Sequence, residues 1–211
     1  MDDDVAERAG GGIGSERTTT VRGEDWYGRE LEAVEFERVE FVDVDMTEVI
    51  SRSAVFRECT FRNVRFNVSA HTESAFINCT FMRCNLFDAT FTRCKMTGTL
   101  FDGCSLDLLH VLGGDWSFVG IPGADMSSAS FDTVRMREAD LTSARFTGAV
   151  LRNCELSGAS FQRADLSGCD LLGSDLSSLD PLTVDLKGAR VDADQAVTLI
   201  ESLGLIVVAV P

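Results

Sequence analysis

Written in fives, residues 74–108 read SAFIN CTFMR CNLFD ATFTR CKMTG TLFDG CSLDL. The third letter of each group is a large apolar residue and the first is a small one. Extended in both directions without a slip, the third-letter column runs from Trp26 to Val191. Of its 34 positions 31 are apolar, and it holds twelve of the fourteen Phe. The exceptions are Ser51, His71 and Pro181. The small column, two residues earlier, spans Val34 to Ala189, is broken only by Leu109 and Leu179, and contains all seven Cys. Two inward sites flanking one outward residue describe a short extended segment, and the other two residues must turn the chain. Neither a helical period of 3.6 nor a strand period of 2 yields a strict five.

Every such segment leaves its inward face to be covered by the next, so the chain is expected to be a solenoid. Sorting by twenty aligns Phe41, Phe61, Phe81 and Phe101, which predicts a ladder of stacked rings. Ser51 and His71 become neighbours in the weakest column, where local irregularity is expected. Gly98, Gly103, Gly113, Gly123, Gly148, Gly158, Gly168, Gly173 and Gly188 share one outward phase, fitting a turn with positive φ. No Gly occurs between Arg29 and Thr97, so a different turn is expected there.

Outside the frame, residues 1–24 read as a disordered tail with a Gly cluster at 10–14 that lacks the lysine of a phosphate loop. Asp192 and Gln195 form a capping-box signature opening a helix, with Ala196, Val197, Ile200 and Leu203 on its apolar face and Gly204 at its end. Leu205–Val210 reads LIVVAV, a strand. The segment 192–211 is therefore expected to cap the solenoid and to join two copies through Val197, Ile200, Leu203, Leu205, Ile206, Val207 and Val208. Leu108, Leu112 and Phe118 fall at outward phases, either buried by a local kink or forming a patch for a partner.

The composition excludes several functions. With 34 acidic against 19 basic residues the chain carries −15, which disfavours direct binding to nucleic acid or to an anionic membrane surface. The acidic start and the absence of a long apolar run point to a cytoplasmic protein. The Cys residues fall at inward phases, without a C-x-x-C pair, so neither disulfide, metal nor cofactor chemistry is expected. Evenly spread carboxylates give no cleft to tune a general acid or base, and no enzyme activity is expected.

Charge is uneven along the chain. The stretch 52–95 carries +4, while Asp165, Asp170, Asp175, Asp180 and Asp185 occupy the outward position in five successive repeats.

The A/C-x-L/F-x-x pattern over about residues 26–191 resembles the pentapeptide-repeat family. That resemblance implies an all-β, right-handed, quadrilateral parallel β-helix of about 8.5 coils over residues 25–191, roughly 40 Å long. The stretches SAFINCTF at 74–81, VLGG at 111–114 and GARVDADQAV at 188–197 are most similar to the mycobacterial fluoroquinolone-resistance (MfpA) group, with the plasmid-borne Qnr proteins more distant. This implies a homodimer joined at its C-terminal ends, whose acidic rod imitates duplex DNA and binds DNA gyrase, inhibiting supercoiling or protecting the enzyme from fluoroquinolones. The five aspartates would then form the gyrase-binding acidic ring. The other reading is a structural module that binds another protein through Leu108, Leu112 and Phe118.

Overall fold

The computed structural model describes residues 19–208. Among these residues fifteen short strands, β1 (Thr19–Arg22) to β15 (Val150–Arg152), precede one helix, α1 (Ala193–Ser202). Every strand pairing is parallel, and each residue pairs with the one twenty positions on, as in Phe41↔Phe61 and Phe81↔Phe101. This is a parallel β-solenoid of four-sided coils. One face is the sheet β1-β4-β7-β10-β12, a second is β2-β5-β8-β11-β13-β14-β15 and a third is β3-β6-β9. The fourth is held by isolated bridges such as Asp25↔Asp45 and Asp45↔Arg65.

The frame begins one repeat earlier than expected. Thr19–Arg22 (β1) pairs in register with β4 (Val39–Val42), and Val21 is buried at a large-residue site. Val21 extends the apolar column back from Trp26, so residues 19–24 belong to the solenoid and not to a tail. Residues 1–18, the rest of the expected tail, lie outside the described residues.

The interior is filled as the two columns predict. Rings stack at 5.0, 4.6 and 4.8 Å along Phe41, Phe61, Phe81 and Phe101, and a second ladder joins Phe36, Phe56 and Phe76 at 5.2 and 4.7 Å. Burying each such ring is worth about 2–3 kcal/mol, so a continuous column substitutes for a globular core. All seven cysteines are free. Cys59, Cys79, Cys84, Cys94, Cys104 and Cys154 each donate their thiol to the carbonyl of the residue 23 earlier. Burial pushes Cys94 and Cys154 up to about 11 and Cys169 to about 12, which keeps these thiols protonated and unreactive.

The face carrying Ser51 and His71 is regular, contrary to expectation. β5, β8 and β11 pair without interruption because the polar residues satisfy one another. Ser51 Oγ lies 2.7 Å from His71 Nδ1 and 2.9 Å from Ser74 Oγ, while Ser69 Oγ is 3.0 Å from His71 Nε2. The imidazole stacks on Phe91 at 4.7 Å, taking the place of a Phe in the ladder.

Most turns share a positive φ at the glycine phase. Positive φ occurs at the glycine phase in the early coils too, on Ala33 (50°), Arg38 (52°), Glu48 (57°) and Val68 (58°). The lack of Gly there reflects tolerated strain and not another backbone path. The distortion expected near 108–114 is confined to Gly113 and Gly114, since β13 (His110–Leu112) pairs in register on both sides.

Candidate interaction surface

The exterior is organised by stacking at intervals of twenty. Arg52 faces Glu30 at 3.6 Å, Arg62 faces Glu40 at 3.3 Å and Arg65 faces Asp45 at 2.5 Å. Much of the basic band 52–95 is thus laid against the acidic first repeats, and the two cancel in space. Such exposed pairs contribute little to stability, but they neutralise charge locally.

The face held by isolated bridges is different. At its outward positions stand Asp25, Asp45, Glu48, Asp88, Asp107, Asp125, Asp165 and Asp185, against Arg65, Arg145 and Lys187. Arg65 and Arg145 are already engaged by Asp45 and Asp125, and Arg145 holds the Asp125 carboxyl well below the usual carboxylate range. The solenoid therefore has an anionic side.

The five aspartates read as a ring are not equivalent. Each accepts a hydrogen bond from the backbone N–H two residues on, at 2.9–3.4 Å, so all five stabilise turns. Asp170 is 6% exposed and sits between Arg152 at 2.5 Å and Arg190 at 2.9 Å. Arg152 lowers its pKa, and its charge is spent internally. Asp165 also accepts from Thr147 Oγ1 at 2.9 Å, and hydrogen bonding from Ser167, then Thr147, lowers its pKa. Asp165 and Asp185 are bridged neighbours on the anionic face. Asp180 and Asp185 are exposed and Asp175 is half-buried.

Leu108, Leu112 and Phe118 are 41%, 52% and 61% exposed, so no kink buries them. Nor do they form one patch. Leu108 and Phe118 are ten residues, half a coil, apart, which puts them on opposite corners of the rod. Sequence reading missed Val68 and Phe87, exposed apolar residues on the same side of the rod as Leu108, because they are 40 and 21 residues away in the chain.

At the C-terminal end, Asp192 and Gln195 make the expected capping box. Gln195 also does what the pattern did not reveal, its Nε2 donating to Leu171 O at 2.6 Å and Ser174 O at 2.7 Å, which seals the carbonyls of the last coil. Gly204, with φ +81°, ends the helix by donating to Glu201 O at 2.8 Å. Val197 is half-buried, whereas Ile200, Leu203, Leu205, Ile206, Val207 and Val208 are exposed at 39–88%. The expected strand does not form over the described residues 205–208.

Two further polar clusters are sealed in the core or already paired. Ser51 and His71 are sealed in the core, and burial pushes the imidazole down to about 3. An open cleft of about 510 Å³ beside Gly114 is lined by Arg93, Arg135, Asp115 and Glu155, but Arg135 pairs with both acids and Arg93 with Glu73. Among the described residues no group of three or more His, Cys, Asp or Glu could hold a metal ion. No helix among them is long and apolar enough to cross a membrane.

The family model described as pentapeptide repeats matches in eight copies, over residues 72–107, 122–148 and 144–180. The chain is a pentapeptide-repeat protein. The repeat column, with coil register kept at twenty, continues on both sides of the matched residues. Among solved structures this pentapeptide-repeat protein is similar to full-length QnrB1, a plasmid-mediated fluoroquinolone resistance protein. The two are 19% identical with a TM-score of 0.54, over 91% of this chain and all of the other. It also matches HetL, a pentapeptide repeat protein involved in heterocyst differentiation regulation from the cyanobacterium Nostoc, at 18% identity and TM-score 0.33, over 81% of each chain. No curated protein matches this pentapeptide-repeat protein in sequence.

Proposed function

We propose that this protein is a non-enzymatic mimic of duplex DNA that binds DNA gyrase in the cytoplasm, inhibits supercoiling and protects the enzyme from fluoroquinolones. The observation that carries this reading is the anionic side of the rod, with eight carboxylates against three cations. Coils about 4.8 Å apart repeat that charge along a stiff axis, and a basic cleft shaped for DNA is steered by charge and width more than by bases. The likeness to QnrB1 supports the fold such a role would use. The exposed apolar residues Ile200, Leu203, Leu205, Ile206, Val207 and Val208 support a homodimer through the C-terminal ends, the arrangement implied by similarity to the MfpA group. In that dimer Asp165, Asp175, Asp180 and Asp185 lie near the centre of the double rod, and Asp170 acts as an internal tie.

A supercoiling titration tests this. Micromolar protein is expected to inhibit gyrase, with inhibition falling steeply as salt rises. Replacing Asp165, Asp180 and Asp185 together by Asn is expected to raise the half-inhibitory concentration at least tenfold. Asp170→Asn is expected to lower the melting temperature and leave inhibition nearly unchanged. Gyrase untouched by micromolar wild type sinks the proposal. Separately, light scattering should give twice the 23.0 kDa chain mass, reverting to a monomer in Ile206→Asp.

A further inference from the structure

We propose that the anionic face carries a docking strip for a basic amphipathic α-helix of another protein, laid along the rod. This inference goes beyond gyrase binding and does not rest on it. Its basis is one column of turn residues. At positions 28, 148, 168 and 188 the column holds Gly, the residue suited to its positive φ. Over four consecutive coils it instead reads Glu48, Val68, Asp88, Leu108, with φ of 57°, 58°, 55° and 54°. Acid and apolar side chains alternate there at one-coil spacing.

Positive φ is shared by turn residues on every face, so what sets this column apart is its side chains, with Val68 48% and Leu108 41% exposed where Gly would serve the turn. Phe87, 41% exposed, lies on the coil between theirs, its carbonyl accepting from Val68 N–H at 2.8 Å.

The spacing selects the occupant. Coils stand about 4.8 Å apart, so the two apolar residues are about 10 Å apart with a carboxylate midway. An α-helix rises about 5.4 Å per turn, so residues i and i+7 on one face are about 10 Å apart, with i+3 or i+4 midway. A helix with apolar residues at i and i+7 and Lys or Arg one turn between them matches both the spacing and the charge. This is helix-on-groove recognition transferred to a β-solenoid face.

The test uses the full-length protein and a fluorescent, stapled 18-residue helical peptide with Leu at positions 3, 10 and 17 and Lys at 6, 7, 13 and 14 (sequence positions of the probe, roughly one turn apart). A scrambled peptide of identical composition is the comparison. Anisotropy is expected to give at least tenfold tighter binding for the patterned peptide. The double variant Val68→Asn, Leu108→Asn, whose new residues suit positive φ, is expected to abolish that difference while melting no lower than wild type. Equal binding of the two peptides overturns the proposal, as does a double variant that still discriminates. So does self-association through this face that only the double variant relieves, since the occupant would then be a second copy. A gyrase titration run alongside separates the two proposals, because either result can fail while the other stands.

Discussion

Gly114→Ala is expected to cost about 3 kcal/mol or more, enough to lower the denaturation midpoint sharply or to prevent soluble expression. Gly114 occupies the small column one coil above Cys94, with φ +95°. A Cβ at this position would lie 2.1 Å from Cys94 O and 2.8 Å from Cys94 N. Both are backbone atoms held in the ladder, with Asp115 N–H donating to Cys94 O at 2.9 Å, so neither can move aside without breaking inter-coil bonds. Gly113 is the internal control. Its φ is +63° and an added Cβ meets Arg93 Cγ at 3.6 Å and Thr133 O at 4.0 Å, both ordinary contacts. Gly113→Ala is expected to cost about 1 kcal/mol, the ordinary penalty of the left-handed region. Urea denaturation of the two variants checks the prediction, and equal midpoints would refute it.

The second large effect is acid sensitivity seated in the core. Burial pushes the His71 imidazole down to about 3, whereas the unfolded chain returns it to about 6.5. Between those values the unfolded state holds a proton that the folded state lacks. Stability is therefore complete above pH 6.5 and declines as pH falls, by about 1.4 kcal/mol per unit, or about 3 kcal/mol by pH 4. The carboxylates contribute in a different window. Asp125, held by Arg145, and Asp170, held by Arg152, have lowered values, so their contribution is lost only as pH falls from about 4, the unfolded aspartate value. His71→Phe, which continues the stack on Phe91 and leaves Ser51 bonded to Ser74, is expected to flatten the slope between pH 6.5 and 4.5 and leave the lower limb intact. Denaturation midpoints of both proteins across this range measure it. An unchanged slope in the variant would mean that His71 is not the group responsible.

His71 also shows how far local reading reaches. As an isolated departure from an apolar column it marked a weak face. In the structure Ser51, Ser69 and Ser74 surround it, and the face pairs without a break. Four residues spread over 24 positions form one satisfied cluster, and only the winding of the chain brings them together. The basic band at 52–95 teaches the same point about charge, since Arg62 and Arg65 meet Glu40 and Asp45 from the preceding coil. A sum taken along the chain cannot register a cancellation that occurs across it. Leu108 was visible as an exposed apolar residue, but Val68 and Phe87 on the same side of the rod were not, and Phe118 proved to stand on the far corner. Asp170 looked like its four companions until Arg152 and Arg190 closed on it.

The sequence alone determined the architecture. A large residue every fifth position and a small one two before it leave a single way to hide both columns, and burial of those side chains outweighs any local preference, including the glycine that many turns lack. It also determined that the charge is negative and faces outward. Only the tertiary structure decided which charges remain once coils stack, that one face keeps the excess, and that Gln195 closes the last coil while the apolar residues beyond it stay bare. The physical reason is range. Burial periodicity acts between near neighbours in the chain, whereas ion pairing and surface patches act between residues about twenty apart that the winding sets side by side.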